Sequence, residues 1–90
     1  MTPREEIEND DILQRAITIA RISRALIRQP GGIWLPPGYD FLPVRRRNHY
    51  RVWTPSVYRL AELGIGQLSG QTTGPGGFPI ATRFDLGPQA

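Results

Sequence analysis

Residues 12–29 read Ile12-Leu13-Gln14-Arg15-Ala16-Ile17-Thr18-Ile19-Ala20-Arg21-Ile22-Ser23-Arg24-Ala25-Leu26-Ile27-Arg28-Gln29. Their spacing predicts a helix. At helical periodicity the apolar residues cover more than half of the circumference, wider than the stripe of an ordinary surface helix. Thr2-Pro3-Arg4-Glu5 is a capping box with proline at the first helical position, and it extends the predicted helix back to residue 3. Asp11-Ile12-Leu13-Gln14 is a second possible start. Pro30-Gly31-Gly32 is read as its stop. The expectation is one long helix over 3–29, with Arg15 and Arg24 at the margins of its apolar arc. Leu13, Ile17, Ala20 and Ile27 are its candidate partner-docking face. Docking into a groove, self-association or a central position would each cover so broad an arc.

Outward from this helix the chain changes character. Ten glycines and nine prolines fall mostly after residue 29. Residues 30–43 are expected to be an extended arm, since prolines there exclude a helix and disfavour a central strand. Its Trp34, Tyr39 and Phe41 are candidate arm contacts, either folded back over the helix or laid on a neighbouring subunit. Residues 44–53 are expected to form a hairpin turning near Arg47-Asn48. Thr54-Pro55 is expected to cap a short second helix over 55–63, ended by Gly64. Six of the residues 64–77 are glycine, the composition of a flexible linker. Residues 78–86 alternate, as an edge strand would. The fold class is therefore a small, irregular α+β arrangement. A single small domain is placed at 1–63, with a linker and C-terminal arm at 64–90.

Charge is segregated along the chain. All eleven basic residues are arginine, and there is no cysteine. Residues 1–11 carry a net charge of −4, residues 12–59 a net +8, and residues 60–90 a net −1. The central section implies an anionic partner, either nucleic acid or an acidic protein surface. Arginine suits both, because its planar fork binds phosphate or carboxylate through two parallel hydrogen bonds. A GC-rich genome would also produce the bias. No stretch is apolar enough to span a membrane and the acidic N-terminus is unlike a signal peptide. The expected location is a virion or the cytoplasm.

Catalytic chemistry finds little support. Gly64-Ile65-Gly66-Gln67-Leu68-Ser69-Gly70 approaches a dinucleotide fingerprint, but its third glycine is one place late and it follows a helix. His49 is the single imidazole, with no cysteine to activate. Asp40, Glu62 and Asp85 are the only carboxylates after residue 11, and none are paired. The expectation is no catalytic site, no cofactor and no metal. The strongest binding signal is Arg45-Arg46-Arg47 with Tyr50, Arg51 and Trp53, where arginines grip anionic groups and aromatics stack between them.

Phe41 to Leu60, centred on Val44-Arg45-Arg46-Arg47-Asn48-His49-Tyr50-Arg51-Val52-Trp53, resembles the wing, strand and following helix of winged-helix regulators of the mercury-resistance type and of phage excisionases. The resemblance implies that Arg45, Arg46, Arg47 and His49 are wing residues contacting DNA backbone or minor groove. Those families place a helix-turn-helix before the wing, where this sequence reads as one helix. The preferred expectation is a non-enzymatic structural or adaptor subunit of a larger assembly, such as a phage head, connector or tail accessory protein. Its partners would be other protein subunits, with nucleic acid possible. A small DNA-binding regulator and an inhibitor of a host enzyme are the alternatives.

Overall fold

The structure, a computed structural model, describes residues 2–88, with Pro75 described by its backbone alone. Four helices and a mainly antiparallel sheet make an α+β fold. The predicted helix over 3–29 is three separate elements. The first helix, α1, spans Pro3–Glu8; Thr2 Oγ1 accepts from Glu5 N at 3.2 Å, so the predicted cap forms. Asp10 then caps a second helix, α2 (Asp11–Ala20), its Oδ1 accepting from Ile12 N at 2.9 Å and Leu13 N at 3.2 Å. The chain leaves α2 through a turn at residues 21–24, with Arg24 in the left-handed region at φ 56°. It then enters a strand, β1 (Ala25–Gln29). The broad apolar arc is thus corrected to a helix face followed by a strand. Ala25, Leu26 and Ile27 are consecutive apolar residues because both sides of β1 are shielded.

Pro30-Gly31-Gly32 turns β1 into β2 (Ile33–Leu35) and stops no helix. Gly32 N donates to Gln29 O at 3.3 Å, and Gly31 takes φ 89°, as the third position of a type II turn requires. The expected arm 30–43 therefore contributes a strand and continues into a 3-10 turn (Tyr39–Phe41). The expected hairpin over 44–53 is likewise replaced. A one-turn helix, α3 (Val44–Arg47), starts at Pro43, whose carbonyl accepts from Arg46 N at 2.9 Å and Arg47 N at 3.0 Å. Proline pre-sets the dihedral for a helical start, and arginine is a good helix former. Turns then lead to β3 (Val52–Trp53) and α4 (Thr54–Glu62). With no hairpin at 44–53 there is no wing, so the winged-helix resemblance does not extend to the fold.

The glycine-rich stretch supplies β4 (Gly66–Ser69) and β5 (Thr72–Thr73). The expected single strand over 78–86 divides into β6 (Pro79–Ile80), paired with β5, and β7 (Arg83–Leu86). The main sheet has the order β3-β2-β1-β7-β4, antiparallel throughout. So β7 is not an edge strand: it sits between β1 and β4. The compositional boundary at residue 63 falls between α4 and β4, and both sides of it contribute strands to this sheet.

Register and alternation put Leu26, Trp34, Val52, Phe84 and Leu86 on one face of the sheet. They form one core with Leu13, Ala16, Ile17 and Ala20 of α2 and Val57 and Leu60 of α4. Leu13, Ile17 and Ala20 are therefore corrected from a docking face to core. Ile27 lies on the other face of β1, half-buried. Trp34 is corrected from an arm contact to the largest fully buried side chain. Its Nε1 donates to Thr54 Oγ1 at 3.1 Å, and that hydroxyl donates to Gly32 O at 2.6 Å. Thr54 thus ties the hairpin turn to α4 and does not cap the helix it begins.

Arg59 clamps α1 to α4. Its Nε donates to Glu6 Oε2 at 2.6 Å, its Nη2 to Glu6 Oε1, and its Nη1 to Glu62 Oε2 at 2.9 Å. The hydrogen bond from Arg59 holds the Glu6 carboxyl below its ordinary pKa, against a smaller opposing effect of desolvation. The hydrogen bonds to Glu6 and Glu62 raise that of Arg59. A lowered carboxyl pKa stabilises the fold at neutral pH, and the contribution is lost as pH falls from the usual glutamate range through the lowered value. Arg59 is exposed and Glu6 only half-buried, so solvent screens the pair and the effect is small. Glu6→Gln is expected to lower the melting temperature slightly at neutral pH, with the gap to wild type closing in acid. Parallel melting curves across that range check it. A gap that persists in acid contradicts it.

Candidate docking surface

The sequence-predicted binding residues fall on one lobe, residues 39–53, built from the 3-10 turn, α3 and the turns before β3. Two contacts hold the lobe together. Tyr39 and Tyr50 pack edge to face with ring centroids 4.8 Å apart. The Arg51 guanidinium stands over the Trp53 ring, 5.2 Å from its centroid. A third contact fixes the lobe to the body. Arg15, on α2, donates from Nη1 to Arg51 O at 2.6 Å and from Nη2 to His49 O at 3.1 Å. Arg15 sits at the margin of the apolar arc, which is the signal that it could reach across to another element.

The lobe exposes three large apolar side chains. Phe41 is 88% exposed, Val44 61% and Trp53 51%. Arg45 and Arg46 are exposed beside Val44, while Arg47 and Arg51 are half-buried. The Nε atoms of Arg47 and Arg51 are shielded and have no acceptor among the described residues. Ion pairs among the described residues join Arg4 to Glu8, Arg59 to Glu6 and Glu62, and Arg83 to Asp85. None involves an arginine of the lobe. Val44 is a residue that sequence reasoning missed: the arginine run beside it drew the reading toward charge alone.

The other predicted sites do not join this surface. Trp34, Leu13, Ile17 and Ala20 are inside the molecule. A separate groove of about 670 Å³ runs along Thr2, Ile7, Ile17, Arg21, Leu63 and Ile65 and includes no residue of the lobe. Among the described residues no three His, Cys, Asp or Glu side chains gather as a metal site would require. No helix of the described residues is long and apolar enough to cross a membrane. No protein-family model matches the chain, and no curated protein or solved structure matches it either.

Proposed function

We propose that this chain is a non-enzymatic docking subunit of a larger assembly, and that it docks through the lobe at residues 39–53. The observation that carries the reading is the exposure of Phe41 and Val44 next to Arg45 and Arg46. Water-exposed apolar side chains flanked by arginine match the composition of protein-interface hot spots, in which aromatic residues and arginine supply most of the binding energy. Nucleic acid fits the lobe less well. Phosphate contacts use the arginines but leave Val44 without an apolar counterpart, and Asp40 stands exposed between Tyr39 and Phe41.

A photoreactive phenylalanine analogue placed at Phe41 in the full chain tests the reading in the cells that make the protein. A second chain carries the analogue at Gln67, an exposed position on β4. The expected result is a discrete protein adduct from the lobe position and none from β4. Adducts to nucleic acid alone, or equal yields from both positions, would contradict it.

A further inference from the structure

The chain between β2 and β3 leaves the core and returns to it. Pro36 and Val52 are buried, and none of residues 37–51 between them is. The strands at its two ends are paired, with Trp34 opposite Val52, so the segment is a closed loop packed largely by its own side chains. Its helix, α3, has four residues and buries none of them. A free helix needs roughly 12–15 residues to be even marginally stable in water, so α3 is held by contacts beyond itself. Tyr50 is the hydrophobic side chain of the loop that packs against the core, partly buried. Apart from the β2–β3 pairing at its ends, the hydrogen bonds that reach the loop from a distant element, among the described residues, both come from Arg15.

We propose that Arg15 is a positioning residue for the lobe: it latches the loop to α2 in the form that docks. The inference rests on the lobe being the docking surface. Arg15 donates to the carbonyls of His49 and Arg51, the residues on either side of Tyr50. Two acceptors set apart along the chain call for a planar fork with separate donors, which arginine supplies. Fixing the backbone there fixes what leans on it. Tyr50 packs edge to face on Tyr39, which opens the turn that carries Phe41. His49 N donates to Arg46 O at 3.1 Å and Tyr50 N to Arg47 O at 2.9 Å, so the same stretch closes the end of α3. A loop ordered before binding loses less conformational freedom when it docks.

Amide hydrogen exchange of the full chain, wild type against Arg15→Met, tests this. Arg15 is exposed, and methionine keeps an unbranched stem and good helix propensity while removing the donors. The amides to follow are those of Arg46, Arg47, Asn48, His49 and Tyr50, which hydrogen-bond within the loop. The amides of Leu26 and Phe84, paired across β1 and β7, are the reference. In the variant the loop amides are expected to exchange roughly tenfold or more faster, the scale of a lost hydrogen bond to a charged group. The sheet amides and the melting temperature are expected to stay near wild type. With the photoreactive analogue at Phe41, the variant is expected to lose about half or more of the protein adduct, because fewer lobes are in the docking form. Unchanged exchange in the loop overturns the inference, and so does faster exchange in the sheet to the same degree. Faster exchange in the loop with an undiminished adduct overturns the positioning role. If the wild-type lobe captures no protein, the docking reading fails, and the exchange rates still decide whether Arg15 holds the loop.

Discussion

Trp34→Ala is expected to destabilise the free chain by about 3–5 kcal/mol, the range for removing a large aromatic from a packed core. Trp34 is fully buried on β2 between the strands and α4. Its removal also takes away the Nε1 hydrogen bond to Thr54 Oγ1, which joins the hairpin turn to the start of α4. Ninety residues bury a small core, and domains of this size have little stability to lose. The variant is therefore expected to melt about 15 °C or more below wild type, or to be largely unfolded at room temperature. Thermal and urea unfolding of the free chain check this. An arm that becomes ordered only on a partner makes the opposite prediction, a melting curve close to wild type.

The second large effect is expected at Gly66. A methyl group there would collide with the carbonyl oxygen of Asp85 and come within 2.5 Å of Phe84 Cζ and 2.8 Å of Cε2. Neither can retreat easily, because the carbonyl belongs to the neighbouring strand β7 and the ring is fully buried. Gly66→Ala is expected to destabilise by roughly 1–3 kcal/mol or more, the scale of overpacking in a close-packed interior. Gly64→Ala is the useful comparison, since its methyl meets nothing within 4 Å and its penalty comes from φ +78° alone. If residues 64–77 were a flexible linker, Gly66→Ala would be neutral or slightly stabilising through the unfolded state. Chemical unfolding of both variants separates the cases.

Gly66 also shows why part of the fold was hidden in the sequence. Glycine is rare in strands, so a glycine-rich segment reads as loop; here it lets β4 lie directly against the Phe84 ring, a reason visible only once β7 is beside it. Pro30-Gly31-Gly32 carries a similar ambiguity, because the same residues stop helices and close hairpins. The residues before them decide which, and Ala25, Leu26 and Ile27 suit either a helix face or a doubly shielded strand. The excess width of the apolar arc was the warning that one helix could not hold it. Local chemistry was legible where a single turn settles it: the Thr2 cap, the helix after Trp53, and an α+β composition overall.

The candidate docking region was legible in part. The arginine run and its aromatics stood out, and Arg45, Arg46, Tyr50, Arg51, Trp53, Tyr39 and Phe41 are all on the lobe. What the sequence hid was the conformation. Pro43 and the arginines favour a helical turn, and the Arg15 contacts that fix it span more than thirty residues. The apolar helix face and the basic lobe also change places in importance. The first is consumed by the core, which leaves Phe41, Val44 and Trp53 as the apolar groups still facing water near the arginines.

If the lobe is where the chain associates, its exposed apolar groups can be changed without cost to the fold. Phe41→Asp/Val44→Asp in the full chain, with melting temperature and partner association measured on the same sample, tests it most directly. The expected result is a melting temperature near that of wild type, since both side chains are exposed, together with loss of association. A folded variant that associates as wild type does would contradict it.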